Sequence, residues 1–216
     1  MNISIVGAKG AGKGTQVARL AKDFNLLNFS TGDALRAGVV ERTPLGKIAE
    51  KYVQRGEMVP DDIVNGLVEE WIWTTSPDQG IIFDGFPRTT YQAAFLEHTL
   101  EEMGRKFDVS VYIDVSDEQV VKRLSERRVC HQCRAEFHLV SDPFGTCPRK
   151  KCNGEFLRHL EEDQPQVIAT LVKMFQRGIE PLLQHYETSG RLIEIGGDGS
   201  IEEVHDAIVQ ALMPYR

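Results

Sequence analysis

A glycine-rich segment directly after the first apolar run has the composition of a phosphate-binding loop. Residues 7–15 read GAKGAGKGT and follow the apolar stretch at residues 3–6. Glycine tolerates positive φ, so backbone N–H groups can turn inward onto phosphate oxygens, and the next helix adds the positive end of its dipole. Lys13 has the spacing needed to reach the β- and γ-phosphates, with Gly14 next and the hydroxyl of Thr15 one place later. A glycine-rich turn alone can merely relieve steric crowding, but Lys13 at this position favours a nucleotide site.

A carboxylate and a guanidinium follow a second apolar run. Residues 81–83 read IIF and predict a fully buried strand that ends at Asp84, and the next four residues, GFPR, include Arg88. Ligands of open parallel sheets bind at the carboxyl ends of the strands, so both side chains are expected at that edge. A carboxylate there can hold Mg²⁺ through water, whereas the simpler alternative is an aspartate that caps the next helix. Together with Lys13, the pattern favours a magnesium–nucleotide site.

All four cysteines fall in one short segment, at positions Cys130, Cys133, Cys147 and Cys152. Two close pairs separated by a loop predict a tetrahedral zinc site, and disulfides are the alternative. Four thiolates leave no coordination position for water, so the zinc would be structural and would stabilise a segment too small to bury its own core. Iron or cobalt could also occupy such a site. His131 and His138 could replace a cysteine ligand, although solvated or packed histidines are the simpler interpretation.

Composition limits the class of protein. The chain has 216 residues, 41% of them hydrophobic, and a formal net charge of −7. This length predicts one α/β core with one or two insertions. The negative charge argues against a duplex nucleic-acid partner. No apolar run approaches the roughly 18 to 20 residues that span a bilayer, and no charged and then apolar leader opens the sequence, so we expect a cytoplasmic protein without a membrane partner.

Hydrophobic periodicity outlines an alternation of strands and helices, which predicts a parallel sheet. Buried strands are expected at residues 3–6, 81–83, 109–115 and 192–195. Helices are expected at residues 14–22, from Asp61 onward, at 117–127 and at the carboxyl terminus. Residues 30–60 show no strong strand and indicate short helices broken at Gly38, Pro44, Gly46 and Gly56. Residues 128–163 are rich in Cys, His, Pro, Gly and charge, and indicate an insertion with no evident buried helix or strand.

Four motifs in this order resemble the adenylate kinase family, in its long form with a zinc-bearing lid. They are the glycine-rich loop, STGD at 30–33 with Arg36, GFPRT at 85–89 with Gln92, and RRVC at 127–130. The resemblance covers nearly the whole chain. It implies a doubly wound P-loop α/β fold with a five-stranded parallel sheet, working as a monomer. The core would comprise residues 1–29, 61–127 and 164–216, with an AMP-binding insertion at 30–60 and a zinc lid at 128–163.

The resemblance also implies an activity, the reversible Mg²⁺-dependent transfer of the γ-phosphoryl group of ATP to AMP. The implied catalytic residues are Lys13, Asp84, Arg88, Arg127 and Arg158. The implied ATP-binding residues are Gly10, Ala11, Gly12, Lys13, Gly14, Thr15, Arg123, Arg127, Glu136, Phe137 and Gly199. The implied AMP-binding residues are Thr31, Arg36, Glu57, Met58, Val59, Gly85, Phe86, Pro87, Arg88, Gln92 and Arg158. Gln92 would pair with the adenine edge and favour AMP over UMP. Outside a matching motif, each arginine could equally be a solvated surface residue, and Thr31 and Gln92 ordinary loop residues.

The sequence departs from the family pattern at three places. Lys9 stands where members usually have proline, which adds a charge near the donor phosphates and removes a fixed φ. Four residues instead of two separate Cys147 from Cys152, which makes the geometry at Cys152 less certain. After Arg158 the family has paired aspartates and then a second arginine, but here HLEED follows.

The missing arginine has a consequence for the rate. Leu171 or Ala169 falls where that arginine belongs, and losing such a contact typically costs on the order of 2 to 4 kcal/mol in the transition state unless another cation replaces it. Lys173 or Arg177 could compensate. We therefore expect activity below that of typical members, and Leu171→Arg to restore or raise it. Two rival functions remain open, namely a kinase for UMP, CMP or GMP, and a nucleotide sensor that has lost catalysis.

Overall fold

The computed structural model describes residues 1–55, 58–132, 135–140, 143–147, 152–160 and 163–216. Its contacts divide the chain into two compact units. The sheet unit comprises Met1–Gly7, Gly12–Asp114 and Gly178–Arg216, and the cysteine unit comprises Ala8–Ala11 and Val115–Arg177. Glu57, Cys133 and Gly56 lie outside the described residues, as do the side chains at positions 169 and 171.

Strands and helices alternate along most of the chain. In order, the elements are β1 (Asn2–Gly7), α1 (Lys13–Asp23), β2 (Leu27–Ser30), α2 (Thr31–Glu41), α3 (Pro44–Arg55), α4 (Asp61–Ile72), β3 (Ile81–Asp84), α5 (Thr90–Glu102), β4 (Val109–Asp114), α6 (Asp117–Glu126), β5 (Arg127–Cys130), β6 (Glu136–His138), β7 (Leu157–Arg158), α7 (Pro165–Thr188), β8 (Leu192–Gly196) and α8 (Ile201–Leu212), with a short 3₁₀ turn at Met213–Tyr215.

The sheet unit is built on a five-stranded sheet in the order β2-β3-β1-β4-β8, and every neighbouring pair is parallel. Its central strands are apolar on both faces, with Ile3, Ile82 and Val111 fully buried. The predicted α/β fold class is thus confirmed. The strand that periodicity did not identify is β2, because Asn28 and Ser30 interrupt its apolar pattern.

Two glycines that were expected to break helices instead lie inside them. α2 continues through Gly38 and α3 through Gly46. A Cβ built on Gly46 would clash with the carbonyl oxygen of Gly38, so the two backbones cross in direct contact. The prediction of short helices broken at these glycines was wrong, because close packing between helices uses glycine for the same steric reason as a turn.

The cysteine unit contains a second sheet, three short antiparallel strands in the order β6-β5-β7. Arg127 pairs with His138 across β5 and β6, and Val129 pairs with Arg158 across β5 and β7. The expectation that this segment has no buried strand was wrong for β5, which buries Val129 and Cys130. Strands of two to four residues, of which only β5 has buried positions, leave almost no periodic signal in the sequence.

None of the helices in the described part of the chain combines the length and apolar character needed to cross a bilayer.

Candidate active site

Lys13 is positioned by the turn between β1 and α1. Gly12 adopts φ +88° and forms the amino-terminal cap of α1, of which Lys13 is the first residue. The Lys13 ammonium donates a hydrogen bond of 2.8 Å to the carbonyl oxygen of Gly7, the last residue of β1. The lysine therefore lies back along its own loop, at the amino end of a helix whose first N–H groups suit an anion.

Gly10 occupies the part of the loop that belongs to the cysteine unit. It has φ +83°, and a Cβ at this position would lie 2.9 Å from Cγ of Leu124 on α6. The loop thus lies so close to α6 that a residue with a side chain would not fit at this position. The Arg123 guanidinium on the same helix donates to the Ala11 carbonyl oxygen at 3.5 Å.

Asp84 stands at the carboxyl edge of the sheet, as the sequence predicts. It ends β3 and is in register with Ile5 of β1 and Ser30 of β2. A Cβ built on Gly14 would lie 4.0 Å from Oδ2 of Asp84, so the carboxylate lies beside the first turn of α1. A half-buried carboxylate next to this helix terminus can hold a hydrated divalent cation that accompanies phosphate groups.

Arg88 is held over the turn that follows β3. Gly85 has φ +70°, the Phe86–Pro87 peptide bond is cis, and the Arg88 Nε donates to the Gly85 carbonyl oxygen at 2.8 Å. Part of the side chain is exposed, yet desolvation around the guanidinium lowers the pKa of Arg88, and the Asp84 carboxylate acts in the opposite direction. Arginine keeps its charge under these conditions, so the turn presents a cation beside a carboxylate.

Gln92 belongs to a hydrogen-bonded network that the sequence analysis did not foresee. Its Oε1 accepts the backbone N–H of Arg88 at 2.7 Å, and its Nε2 donates to Oδ1 of Asp61 at 2.7 Å. The other oxygen of Asp61 accepts the Thr89 hydroxyl at 2.7 Å. Thr89 in turn caps α5 by accepting the Gln92 backbone N–H. Both amide atoms of Gln92 are therefore engaged, and the turn that carries Arg88 is fixed to the start of α4.

The other predicted AMP-binding residues lie in α2 and in the stretch before α4. Arg36 forms an exposed ion pair of 2.7 Å with Asp33 within α2. The Thr31 hydroxyl lies 3.4 Å from the Asp84 carbonyl oxygen. Met58 is exposed and Val59 half-buried, whereas Glu57 lies outside the described residues. Gly199, which the sequence predicts on the ATP side, precedes the capping residue of α8 in the sheet unit.

Arg127 is fixed by a buried carboxylate in the cysteine unit. Its Nε and Nη2 donate to the two oxygens of Asp163 at 2.8 Å each, and Asp163 is fully buried. The Lys9 ammonium lies 3.2 Å from Oδ1 of Asp163, and Nη1 of Arg127 lies 3.4 Å from Oε1 of Glu136. Such a bidentate pair fixes a guanidinium plane more tightly than a single hydrogen bond does. The sequence predicted Arg127 but no role for Asp163.

Arg158 and Phe137 lie on the strands that flank β5. The exposed Arg158 donates to the carbonyl oxygens of Glu155 and Leu157, at 3.1 and 2.8 Å. Phe137 packs edge-on against Phe144, with ring centroids 5.0 Å apart. Both belong to the three-stranded sheet.

The three described cysteines gather in one cluster. Cys130 and Cys147 are buried, and Cys152 packs against them. The Sγ atoms of Cys130 and Cys152 are 3.4 Å apart, and the Cys152 thiol is also within hydrogen-bonding reach of Cys147. Thiol donors suit zinc. Within the described ranges, however, no group of three or more His, Cys, Asp or Glu side chains is arranged to bind a metal ion, and Cys133 lies outside those ranges.

Two of the residues that fix the site had only weak signals in the sequence. Asp61 is the first residue of α4 and resembles any acidic residue in a first helical turn. Asp163 follows two other acidic residues two positions before a helix, a run that indicates a solvated surface. The burial of Asp163 could not be predicted from its neighbours, since its partners Lys9 and Arg127 are distant in sequence.

Comparison with known proteins agrees with this geometry. The family model described as adenylate kinase matches residues 5–191. The adenylate kinase of Bacillus licheniformis is 39% identical over 217 residues, 98% of each chain. That of Methanothrix thermoacetophila is 38% identical over 219 residues and the whole of both chains. That of Carboxydothermus hydrogenoformans is 40% identical over 215 residues, 98% of this chain and 99% of its own. The family model covers most of the chain, and the adenylate kinases named here match it over nearly its full length. The chain therefore belongs to the adenylate kinase family.

Proposed function

We infer that the chain is an ATP:AMP phosphotransferase that reversibly moves the γ-phosphoryl group of ATP to AMP and yields two ADP. The family match over residues 5–191 carries this inference. Two observations support it. Lys13, the first residue of α1, donates a hydrogen bond to the Gly7 carbonyl oxygen, and the Asp84 carboxylate lies beside the same turn of the helix. In the reaction the bond between the γ-phosphorus and the bridging oxygen of ATP breaks, and a bond forms between that phosphorus and an AMP phosphate oxygen.

Phosphoryl transfer needs positioning and neutralisation of charge more than covalent chemistry. We propose that Lys13 binds the donor phosphates and that Asp84 holds, through water, the Mg²⁺ that accompanies ATP. In the cysteine unit we assign Arg123, Arg127 and Arg158 to the donor side. The Asp163 pair keeps the Arg127 guanidinium in one orientation, so this cation needs little reorganisation during the reaction.

The acceptor side is assigned to Arg36, Arg88, Thr31 and Gln92. Arg88 lies over Gly85 with a planar guanidinium that suits phosphate oxygens. Gln92 recognises the adenine edge, and to do so it must exchange its hydrogen bond to Asp61 or to the Arg88 backbone for one to the base. Binding of the correct base would thus be linked to the turn that carries Arg88.

Coupled measurement of ADP formed from MgATP and each nucleoside monophosphate in turn tests the assignment. We expect turnover with AMP and far less with UMP, CMP or GMP. Lys13→Met should lower kcat by about a thousandfold, as removal of a transition-state charge does. The matched control is Lys22→Met, an exposed lysine in the last turn of the same helix, which should leave kcat unchanged.

Other outcomes would change the assignment. Turnover with another monophosphate and none with AMP would select a different acceptor. Tight binding of a compound with two linked adenosines, without turnover on any monophosphate, would select a nucleotide sensor.

We also propose that Cys130, Cys133, Cys147 and Cys152 bind one structural zinc ion. The clustering of the three described cysteines supports this, together with the preference of zinc for thiolates. Purified chain should contain about one zinc, and Cys147→Ser should lose it. The exposed His131 offers the control, since His131→Ala should keep the metal. Metal-free wild-type protein with full activity would contradict the proposal.

For organisation and setting, we propose an AMP-binding insertion at residues 30–60, a lid at 128–163, and a monomer that works in the cytoplasm. The packing of α2 against α3 at Gly38 and Gly46 supports the insertion as a folded piece. Light scattering of the purified chain with and without nucleotide tests the monomer, and a dimer in both conditions would contradict it.

A further inference from the structure

The side-chain amide of Gln92 lies between two groups that can each form a hydrogen bond in only one sense. Oδ1 of Asp61 accepts a hydrogen bond from its Nε2 at 2.7 Å, and its Oε1 accepts the backbone N–H of Arg88 at 2.7 Å. An ionised carboxylate only accepts hydrogen bonds, and a backbone N–H only donates them. If the amide turned over, two oxygens would meet on one side and two N–H groups on the other. The neighbours of Gln92 therefore fix which side of its amide carries the oxygen.

Asp61 is itself held in place by α5. Its Oδ2 accepts the Thr89 hydroxyl at 2.7 Å, and the oxygen of that hydroxyl accepts the backbone N–H of Gln92 at 3.1 Å. The carboxylate thus joins the first residue of α4 to the capping residue of α5. Gln92 is only 3% exposed, so a turned amide would leave buried polar groups without partners. The orientation of the amide is therefore costly to reverse.

The orientation of this amide decides which purine it can pair with. In a 6-aminopurine such as adenine, the exocyclic amino group donates to the amide oxygen, while the amide N–H donates to a neighbouring ring nitrogen. In a 6-oxopurine such as hypoxanthine, the exocyclic group is a carbonyl oxygen, which would face the amide oxygen. A site discriminates strongly against an analogue that leaves its buried polar groups unpaired. An amide that could turn over would lose this discrimination.

We propose that Asp61 is a positioning residue that sets the preference for AMP over 6-oxopurine monophosphates by fixing the amide of Gln92. The proposal rests on the phosphotransferase function inferred above. The hydrogen bond to the charged Asp61 is stronger than the neutral one to the Arg88 N–H, so Gln92 exchanges the bond to Arg88 for one to the base. Once Oε1 has turned to the base, the orientation of the amide depends on Asp61.

Steady-state kinetics of Asp61→Asn with two acceptor nucleotides test the proposal. The change keeps the shape of the side chain but replaces one acceptor by a donor, so a turned Gln92 gains a partner. With MgATP as donor, kcat/KM should fall for AMP and rise for inosine monophosphate, a 6-oxopurine, and their ratio should drop about tenfold or more. The control is Asp62→Asn, which should keep the ratio, because Asp62 is the next residue of α4 but accepts the exposed Tyr91 hydroxyl, at 3.0 Å.

Two further variants separate positioning from folding. Asp61 acts through Gln92, so adding Asp61→Asn to Gln92→Leu should leave the ratio of that protein unchanged. Asp61→Glu keeps a carboxylate that only accepts, and it should hold the ratio within about threefold of wild type even where the displaced group lowers both values. A purely structural role for Asp61 predicts instead that every variant lowers kcat/KM for the two nucleotides in the same proportion.

The proposal is overturned if wild-type protein uses both nucleotides equally, if Asp61→Asn keeps the ratio, or if Asp62→Asn changes it as much. It is also overturned if Asp61→Asn changes the ratio of Gln92→Leu, or if the ratio collapses in Asp61→Glu, a test that remains where Asp61→Asn does not fold. Wild-type protein without AMP-dependent turnover would instead refute the underlying function. Normal turnover with AMP and a ratio that is insensitive to position 61 would refute only the role of Asp61.

Discussion

Different interactions stabilise the interior of each of the two units. The sheet unit has a continuous apolar core, in which the buried residues of β1, β3 and β4 pack between helices. The cysteine unit buries apolar residues of α6 and α7, but its three short strands have only a small cluster around Cys130 and Cys147, beside the buried ionic cluster at Asp163. An apolar core stabilises a fold without any ligand. Ion pairs and thiols instead depend on charged or metal partners, which can be exchanged.

This difference assigns separate tasks to the two units. Lys13, Asp84 and Arg88 stand on elements whose positions are fixed by buried strands. Arg127 and Arg158 stand on short strands and are held by polar contacts, whereas Arg123 stands on α6, which buries Val120 and Leu124. Under the proposed function, we expect the first group to keep a constant geometry and the second to respond when phosphates bind.

Metal removal should give the largest separation of the two units. Treatment with a strong chelator should remove the proposed zinc and raise backbone hydrogen exchange throughout β5, β6 and β7, by about a hundredfold or more, because this sheet has little apolar core of its own. Exchange in β1, β3 and β4 should be unchanged. If hydrogen exchange accelerated equally in both sheets, the larger sheet would depend on the metal as much as the smaller one does.

A matched pair of valines compares the two cores directly. Val111 in β4 is fully buried in the larger sheet, and Val129 in β5 is nearly so in the smaller one. Val111→Ala should lower the free energy of unfolding by about 2 kcal/mol, and Val129→Ala by roughly 1 kcal/mol or less, since fewer apolar contacts are lost. Urea titration measures both. A larger loss of unfolding free energy for Val129→Ala than for Val111→Ala would indicate that the strands of the cysteine unit have a substantial apolar core.

Tyr186 allows the stability of the sheet unit to be tested as a function of pH. Burial raises the pKa of Tyr186, the Glu97 carboxylate raises it further, and Arg191 partly opposes them. Below about pH 10 the hydroxyl is neutral in both states, but above that the unfolded tyrosine ionises first, so stability falls with rising pH. Tyr186→Phe should show a shallower alkaline loss, and a residual slope is expected from Tyr112, whose pKa is also raised, mainly by burial.

The same substitution has an expected effect at neutral pH. The Tyr186 hydroxyl has no hydrogen-bond partner in the described part of the chain, and its ring stacks on Phe107 at 5.1 Å between centroids. Phenylalanine keeps the ring and removes the unpaired group, so stability at pH 7 should be equal or higher by about 1 kcal/mol. Thermal unfolding measures this, and a marked loss would mean that the hydroxyl has a stabilising partner.

The smallest effect is expected for a surface ion pair. Arg19 on α1 and Glu202 on α8 approach to 3.0 Å, with side chains 39% and 70% exposed. Water and salt screen such a pair, so Arg19→Gln should change the free energy of unfolding by less than about 0.5 kcal/mol. Urea titration at low and high salt should give nearly the same value, whereas a loss above about 2 kcal/mol would contradict the apolar account of this unit.

Much of the sheet unit could be predicted from sequence because its signals are local. The apolar runs of β1, β3 and β4, and the glycines with Lys13 at their end, are short patterns with direct physical causes. β2 was missed because a four-residue edge strand with polar residues has no clear period. The Gly38–Gly46 contact was misinterpreted, since the sequence cannot tell a turn glycine from one at a helix crossing.

The polar networks could not be predicted because their partners are distant along the chain. Asp61 with Gln92 and Asp163 with Lys9 join residues that are brought together only by folding. Arg105 shows the same limit, since this buried arginine donates to Thr75 and to the carbonyl oxygens of residues 76, 77 and 79. From sequence it is an ordinary surface arginine.

The strand order has a consequence for the behaviour of the protein at high concentration. Within the described residues it leaves β2 and β8 at the edges of the sheet, and an edge strand can pair with a strand from another molecule. β2 is only four residues long and exposes Asn28, and β8 exposes Glu194 at its centre. A second copy that added its own strand there would gain few hydrogen bonds and would crowd a charge. The short polar edges thus protect an otherwise very apolar sheet from aggregation through its edges.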